Sequence, residues 1–185
     1  MIGFEIFEKS NMDSRLTARF PHIKSYIGKN NESGDIVTIT HGNQGFSASV
    51  RGIGKTYYID NYAQGDTEHY MIYDIKEDPQ NWGDPQKLAC GLTDNSVFED
   101  YSAGLSAQQV FKYRTAPLVE EKTMRVAIAC TGEFGRSRGG TVDAIIQLYE
   151  TAVGRINQIW GPDFATQLQL VDETRSVIFL SLIHI

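Results

Sequence analysis

The chain has 185 residues, of which 41% are hydrophobic and 22% charged, with 17 glycines and 5 prolines. That is the length of one large domain or two small ones, and the composition excludes a collagenous or low-complexity polymer. Seventeen basic against 23 acidic residues give a net charge of −6, a sign that repels phosphate backbones and argues against a general nucleic-acid partner.

No apolar run nears the roughly 18 residues of a membrane-spanning helix, so no membrane span is expected. The start, Met1 to Glu8, lacks the basic and long apolar regions of a secretory signal, so either the protein is cytoplasmic or a leader precedes Met1. Two cysteines, Cys90 and Cys130, are too few for a disulfide framework.

Turn residues punctuate short β-branched and aromatic runs through most of the N-terminal hundred residues, the pattern of strands. A short helix is expected near Asp13 to Arg19, capped by Asp13 and ended before Pro21. Ile36 to Thr40 and Phe46 to Val50 flank the turn His41-Gly42-Asn43-Gln44-Gly45 and read as a hairpin, with Phe46, Ala48 and Val50 on an inward face. Lys55 to Asp60 and His69 to Asp74 repeat the theme, so a meander or small sandwich is expected.

From Asp60 to Asp100 ten carboxylates face only Lys76 and Lys87, and residues 76–120 read as a polar, proline-interrupted connector. Beyond it, Arg125 to Thr131 is a continuous apolar run of the kind found in strands buried on both faces. A glycine-rich turn, Gly132 to Gly140, then opens a helix. Val142, Ile145, Ile146, Tyr149, Ala152, Val153, Ile156, Ile159 and Trp160 recur at spacings of three and four, giving one apolar face.

Thr141 is the expected cap of this helix, Asp143 suits the positive end of its dipole, and Gly161-Pro162 is the expected stop. Ala165 to Val171 alternates as a strand, so residues 124–172 predict a parallel strand, helix, strand crossover. The chain closes on the apolar run Val177 to Ile185, where a completed domain rarely ends, and a break in the recorded polypeptide is expected there.

Few residues form recognisable chemistry. The loop Gly132 to Thr141, with Arg136 and Arg138, can be read as a phosphate-binding turn, yet it has neither a P-loop ending nor dinucleotide spacing, and a plain solvated turn is the simpler reading. His22, His41, His69 and His184 are never three or four residues apart, so this sequence contains no helical zinc motif. There is no G-x-S-x-G elbow either. Cys130 lies within the apolar run, where a small thiol is an ordinary occupant. Cys90 sits in the polar connector Lys87 to Asp94 and can serve as a thiolate ligand for zinc, remain idle, or pair with Cys130.

Met124 to Phe134, Gly139-Gly140-Thr141-Val142, Val153 to Trp160 and Asp163-Phe164-Ala165 resemble the opening of the reprolysin-like metallopeptidases of bacteria, which are metzincins related to the adamalysins. Arg19 to Gly28, Tyr57 to Asp60 and Gly65 to Tyr70 are similar to the pro-region of these enzymes. The resemblance implies a β-rich pro-region over 1–75, a connector over 76–120, and the beginning of an α/β catalytic domain over 121–185, an α+β arrangement as a whole.

It further implies a secreted zinc endopeptidase made as a latent precursor, acting on protein or peptide substrates, with its pro-region held against its catalytic domain. In that family three histidines hold Zn²⁺ and a glutamate takes a proton from the bound water; the H-E-x-x-H-x-x-G-x-x-H helix carrying them does not occur in these residues. Leu180 to Ile185 resembles translated adapter sequence, in keeping with a fragment that is itself inactive. Ala89-Cys90-Gly91-Leu92-Thr93 is similar to the cysteine switch of adamalysin pro-regions, which implies Cys90 as a zinc ligand in the latent state, with Leu92 in place of the usual valine. Met124 or Arg125 stands where some adamalysins have a calcium-binding acid, so no calcium site is implied, and Arg136-Ser137-Arg138 departs from the more aromatic turn of the family. The rival readings are a non-enzymatic β-rich binding module and a phosphate or nucleotide binder using the Gly132 to Thr141 turn.

Overall fold

A computed structural model describes residues 3–52, 55–74 and 120–180. Their N-terminal part is a six-stranded antiparallel meander: β1 (Glu5–Glu8), β2 (Lys24–Lys29), β3 (Ile36–Gly42), β4 (Gly45–Arg51), β5 (Thr56–Asn61) and β6 (Tyr70–Asp74), each paired with the next. The expected hairpin is present, with a tighter turn, because His41 and Phe46 pair and the reversal falls on Asn43-Gln44. Gly45 follows at φ 89°, the left-handed conformation that lets the chain re-enter the ladder.

Between β1 and β2 lies α1 (Ser14–Arg19), capped as expected: Asp13 Oδ1 accepts from the Leu16 N–H at 2.8 Å, and Phe20 closes the helix just before Pro21.

The second part is a parallel pair, β7 (Lys122–Val126) and β8 (Thr166–Leu170), joined by α2 (Gly132–Ser137) and the long α3 (Val142–Phe164). The fold is thus α+β, as the sequence implied. Three local expectations fail. The apolar run does not make a strand buried on both faces: β7 stops at Val126, and only Val126, Ile128 and Cys130 turn inward while Arg125, Ala127 and Ala129 are exposed. Among the described residues, packed elements cover one side of this pair only.

The glycine turn is also partly helical, since α2 occupies Gly132–Ser137 and the true reversal is Gly139-Gly140, at φ 111° and 65°. Finally, α3 runs through Gly161-Pro162 to Phe164. A proline inside a helix removes the N–H that would bond the carbonyl four residues back. Here that carbonyl belongs to Gln158, and Arg51 of β4 supplies the missing donor through Nη1 at 3.0 Å. The helix ends at Ala165, whose left-handed backbone returns its N–H to the Trp160 and Gly161 carbonyls. The Ala165 carbonyl in turn accepts the Lys122 N–H at 2.8 Å, locking the end of the helix to the start of β7.

The sheet and the βαβ part belong to one unit, residues 1–77 with 121–185. Its apolar core lies where α3 meets α1 and β8: Met12, Leu16, Ile23, Ile145, Ile146, Tyr149, Val153, Leu170 and Ile178 are buried together, with Phe20 packed against them. At about 25 cal/mol per Å² of apolar surface, a cluster of this kind supplies most of the favourable burial in such a fold.

Candidate functional site

The feature that sequence and family resemblance single out is the wall formed by β7, the glycine turn and α3. Two threonine caps set its shape. Thr131 accepts from the Phe134 N–H at 3.4 Å to start α2, and Thr141 accepts from the Ala144 N–H at 3.2 Å to start α3. A Cβ on Gly139 would lie 2.8 Å from Ala144 Cβ, so the turn needs glycine there for space as well as for its positive φ. Asp143 sits in the first turn of α3, where its charge complements the helix dipole, and meets the His22 ring.

As a phosphate cradle this turn is poorly furnished. Glu133 places a carboxylate in the first turn of α2, held below its ordinary pKa by a backbone N–H and by Thr131. The arginines are engaged: Arg136 Nε donates to the Leu180 carbonyl at 3.4 Å, and Arg138 lies over the Phe134 ring at 5.6 Å.

The candidate ligand residues do not converge. Cys90 and His184 lie outside the described residues. Cys130 is a buried free thiol beside the Phe179 carbonyl, and burial together with this neighbouring thiol pushes the Tyr149 hydroxyl well above its ordinary pKa. His22 meets Asp143, His41 is exposed on β3, and His69 pairs with Asp66 at 3.0 Å. No three His, Cys, Asp or Glu side chains are placed to hold a metal ion among the described residues.

What the structure adds is a second buried face on α3. Gln147, Thr151, Gly154 and Gln158 form a stripe at spacings of four and three that packs against the sheet. The register explains the chemistry of the contact. Ser25, Thr40 and Ser47 stand opposite one another across β2, β3 and β4, as do Thr38 and Ser49, so the face turned to the helix is rich in hydroxyls, with Ile27 and Ile36 among them. The apolar residues of the alternation, Val37, Ile39, Ala48 and Val50, point to the other face. Gln158 accepts from Ser49 Oγ at 2.7 Å and donates to the carbonyls of Ile36 at 2.7 Å and Ser49 at 3.2 Å.

Gln147 accepts from the Gln44 N–H at 3.0 Å and donates to the Gly45 carbonyl at 2.9 Å. The close approach explains Gly42, because a Cβ there would overlap the Gln147 amide. Next to it, Arg155 binds Asp60 at 2.7 Å and lies over the Tyr58 ring at 4.9 Å. Tyr73 donates to the same Asp60 carboxylate at 2.8 Å, and its hydroxyl is pushed up to about 12 by burial and by that charge. An open cleft of about 660 Å³ lies beside this ion pair, between the β5–β6 loop and α3.

One member of the interface is ionisable and fully buried. Glu150 Oε1 accepts from the Asn11 N–H at 2.7 Å and from Asn11 Nδ2 at 3.1 Å, while Oε2 has no partner. Burial raises its pKa above the ordinary 4.5, against the opposing hydrogen bonds of Asn11. The apolar spacing of α3 points to one buried face and does not reveal this second one, made of polar positions. The available signal was their own helical spacing, since 147, 151, 154 and 158 recur as regularly as the apolar residues do.

Residues 120–181 match the family model described as metallo-peptidase family M12B, reprolysin-like. The match, about a third of the chain, begins just before β7 and covers α2, α3, β8 and the residues after them. It supports a peptidase as the parent protein, and hence protein substrates. No curated protein and no solved structure matches the chain. No helix among the described residues is long and apolar enough to cross a membrane.

Proposed function

We propose that this chain comes from the latent precursor of a secreted zinc endopeptidase, with a pro-region in its N-terminal half and the first part of the peptidase domain after residue 120. The observation that carries the reading is that the match to the reprolysin-like M12B model falls on the parallel βαβ unit and stops short of the meander. The polar contact between α3 and the hydroxyl face of the sheet supports a pro-region held against the peptidase part. An interface rich in hydrogen bonds and moderate in apolar area resembles contacts that form and release, more than a permanent core.

The described residues do not build a zinc site, and no step of hydrolysis is assigned to them. In this reading Cys90 blocks the metal through its thiolate, filling the position that a catalytic zinc leaves open for water. The fragment itself hydrolyses nothing.

The test uses the full-length precursor. A Cys90→Ala precursor should cleave a peptide substrate without prior processing and lose that activity to a zinc chelator. Unchanged latency would remove Cys90 from the mechanism, and an extended reading frame without H-E-x-x-H would remove the peptidase.

A further inference from the structure

Residues 10–23 make a contact of a different kind from that of the sheet. The Asp13 N–H donates to the Leu170 carbonyl at 2.7 Å and the Leu170 N–H to the Asn11 carbonyl at 2.8 Å, so Met12 pairs in parallel with Leu170 and lengthens the β7–β8 sheet on its β8 side. α1 then drops Leu16, at 0% exposure, into the cluster with Ile145, Ile146 and Val153; Ile23 at 1% and Met12 at 3% complete it.

Polar ties secure the margins. Arg19 Nε meets Asp172 at 2.9 Å, the Asp172 N–H donates to Asp13 Oδ2 at 3.2 Å, and Asn157 Nδ2 donates to Asn11 Oδ1 at 2.9 Å. Without this segment, β8 would present an open edge and the inner face of α3 would lose Met12, Leu16, Phe20 and Ile23 as apolar partners.

We propose that residues 10–23 are an anchor occupying a strand-and-helix groove of the peptidase part, so that cutting the chain between residues 77 and 121 leaves the N-terminal piece bound. The proposal deepens the precursor reading, but its geometry stands without it. The sheet contact gives alignment through hydrogen bonds; the anchor gives retention through apolar burial. Processing in the connector would therefore yield a two-piece complex, and release would need the anchor itself to be dislodged or cut.

The experiment inserts a site-specific protease sequence between residues 77 and 121 of the full chain and cuts it. The cut wild-type protein should elute from size exclusion as one species at micromolar concentration. Leu16→Ala should weaken retention by at least about 30-fold, the effect of emptying a fully buried leucine site. Ser49→Ala, on the sheet contact, empties no comparable cavity but leaves the buried Gln158 amide oxygen without its donor, and should weaken retention by about fivefold to tenfold, the lower end of the cost of an unpaired buried group.

Arg19→Ala guards against a Leu16 variant that does not fold. It removes only a surface tie, and should leave the uncut chain folded while speeding dissociation of the cut one severalfold. Separation of the cut wild type under native conditions would overturn the proposal, as would an Arg19→Ala rate equal to wild type or a Ser49→Ala effect as large as that of Leu16→Ala. Separation would leave the precursor reading standing, whereas a full-length precursor without peptidase activity would sink that reading and leave retention untouched.

Discussion

Replacing Gln158 by methionine keeps the side-chain length and removes its hydrogen bonds, which isolates the polar contact between α3 and the sheet. The wild-type amide makes three bonds: one accepted from the Ser49 hydroxyl and two donated to the carbonyls of Ile36 and Ser49. Gln158 is 5% exposed and Ser49 0%, so water cannot replace these partners without opening the interface. An orphaned buried group costs about 1–3 kcal/mol. The carbonyls keep a second lone pair, and the methionine gains some apolar burial, so the three losses do not simply add.

A net destabilisation of about 2–4 kcal/mol is expected. With a urea slope of about 1–3 kcal/mol per molar, the unfolding midpoint should fall by about 1–2 M at unchanged slope, followed by far-ultraviolet circular dichroism. Ser49→Ala and the double variant complete a cycle whose coupling should be about 1–2 kcal/mol. A midpoint shift below about 0.3 M, or a coupling near zero, would refute the view that the helix is held to the sheet by buried hydrogen bonds.

Glu150→Gln mimics the protonated carboxyl. Because the folded pKa of Glu150 is raised above 4.5, its favourable protonation is fully present below that value and is lost as pH rises through the folded pKa. Thermal melts from pH 4 to pH 8 should show the variant more stable than wild type at pH 8, with the difference vanishing toward pH 4; a difference independent of pH would contradict the assignment. In the turn before α3, Gly139→Ala meets both a φ of 111° and the Ala144 methyl, whereas Gly140→Ala meets only a φ of 65° and open space. The first should cost about 2–3 kcal/mol and the second about 1 kcal/mol, measured by urea unfolding. If Arg51 serves the carbonyl that Pro162 leaves free, Arg51→Ala should be costly in the natural background and nearly neutral beside Pro162→Ala, which restores the helical N–H. Arg51 also pairs with Asp163 at 3.5 Å, and equal costs in both backgrounds would mean that it acts through that ion pair instead.

Local chemistry was readable wherever neighbours in sequence decide the outcome. Asp13 and Thr141 as caps, a hairpin turning within His41 to Gly45, and the apolar stripe of α3 all depend on residues within a few positions of one another, and side-chain geometry enforces them wherever the chain goes. Elements whose fate depends on distant partners were not readable. Pro162 looks like a stop until Arg51, more than a hundred positions earlier, supplies the missing donor. The run Arg125 to Thr131 looks buried on both faces until its single covered side is seen.

Likewise, β1 and β2 carry no clear alternation, and what orders them is pairing with distant segments, β1 with β2 and β2 with β3. The polar stripe of α3 was written in the sequence as spacing alone, and only the hydroxyl face of the sheet gives it a partner. Sequence thus determined the locally encoded elements, α1, the β3–β4 hairpin and the start of α3, and residues 120–181 carry the match to a peptidase family model. The tertiary structure alone decided that Met12, Leu16 and Ile23 complete the core of the C-terminal part, because burial is shared between segments that no local pattern connects.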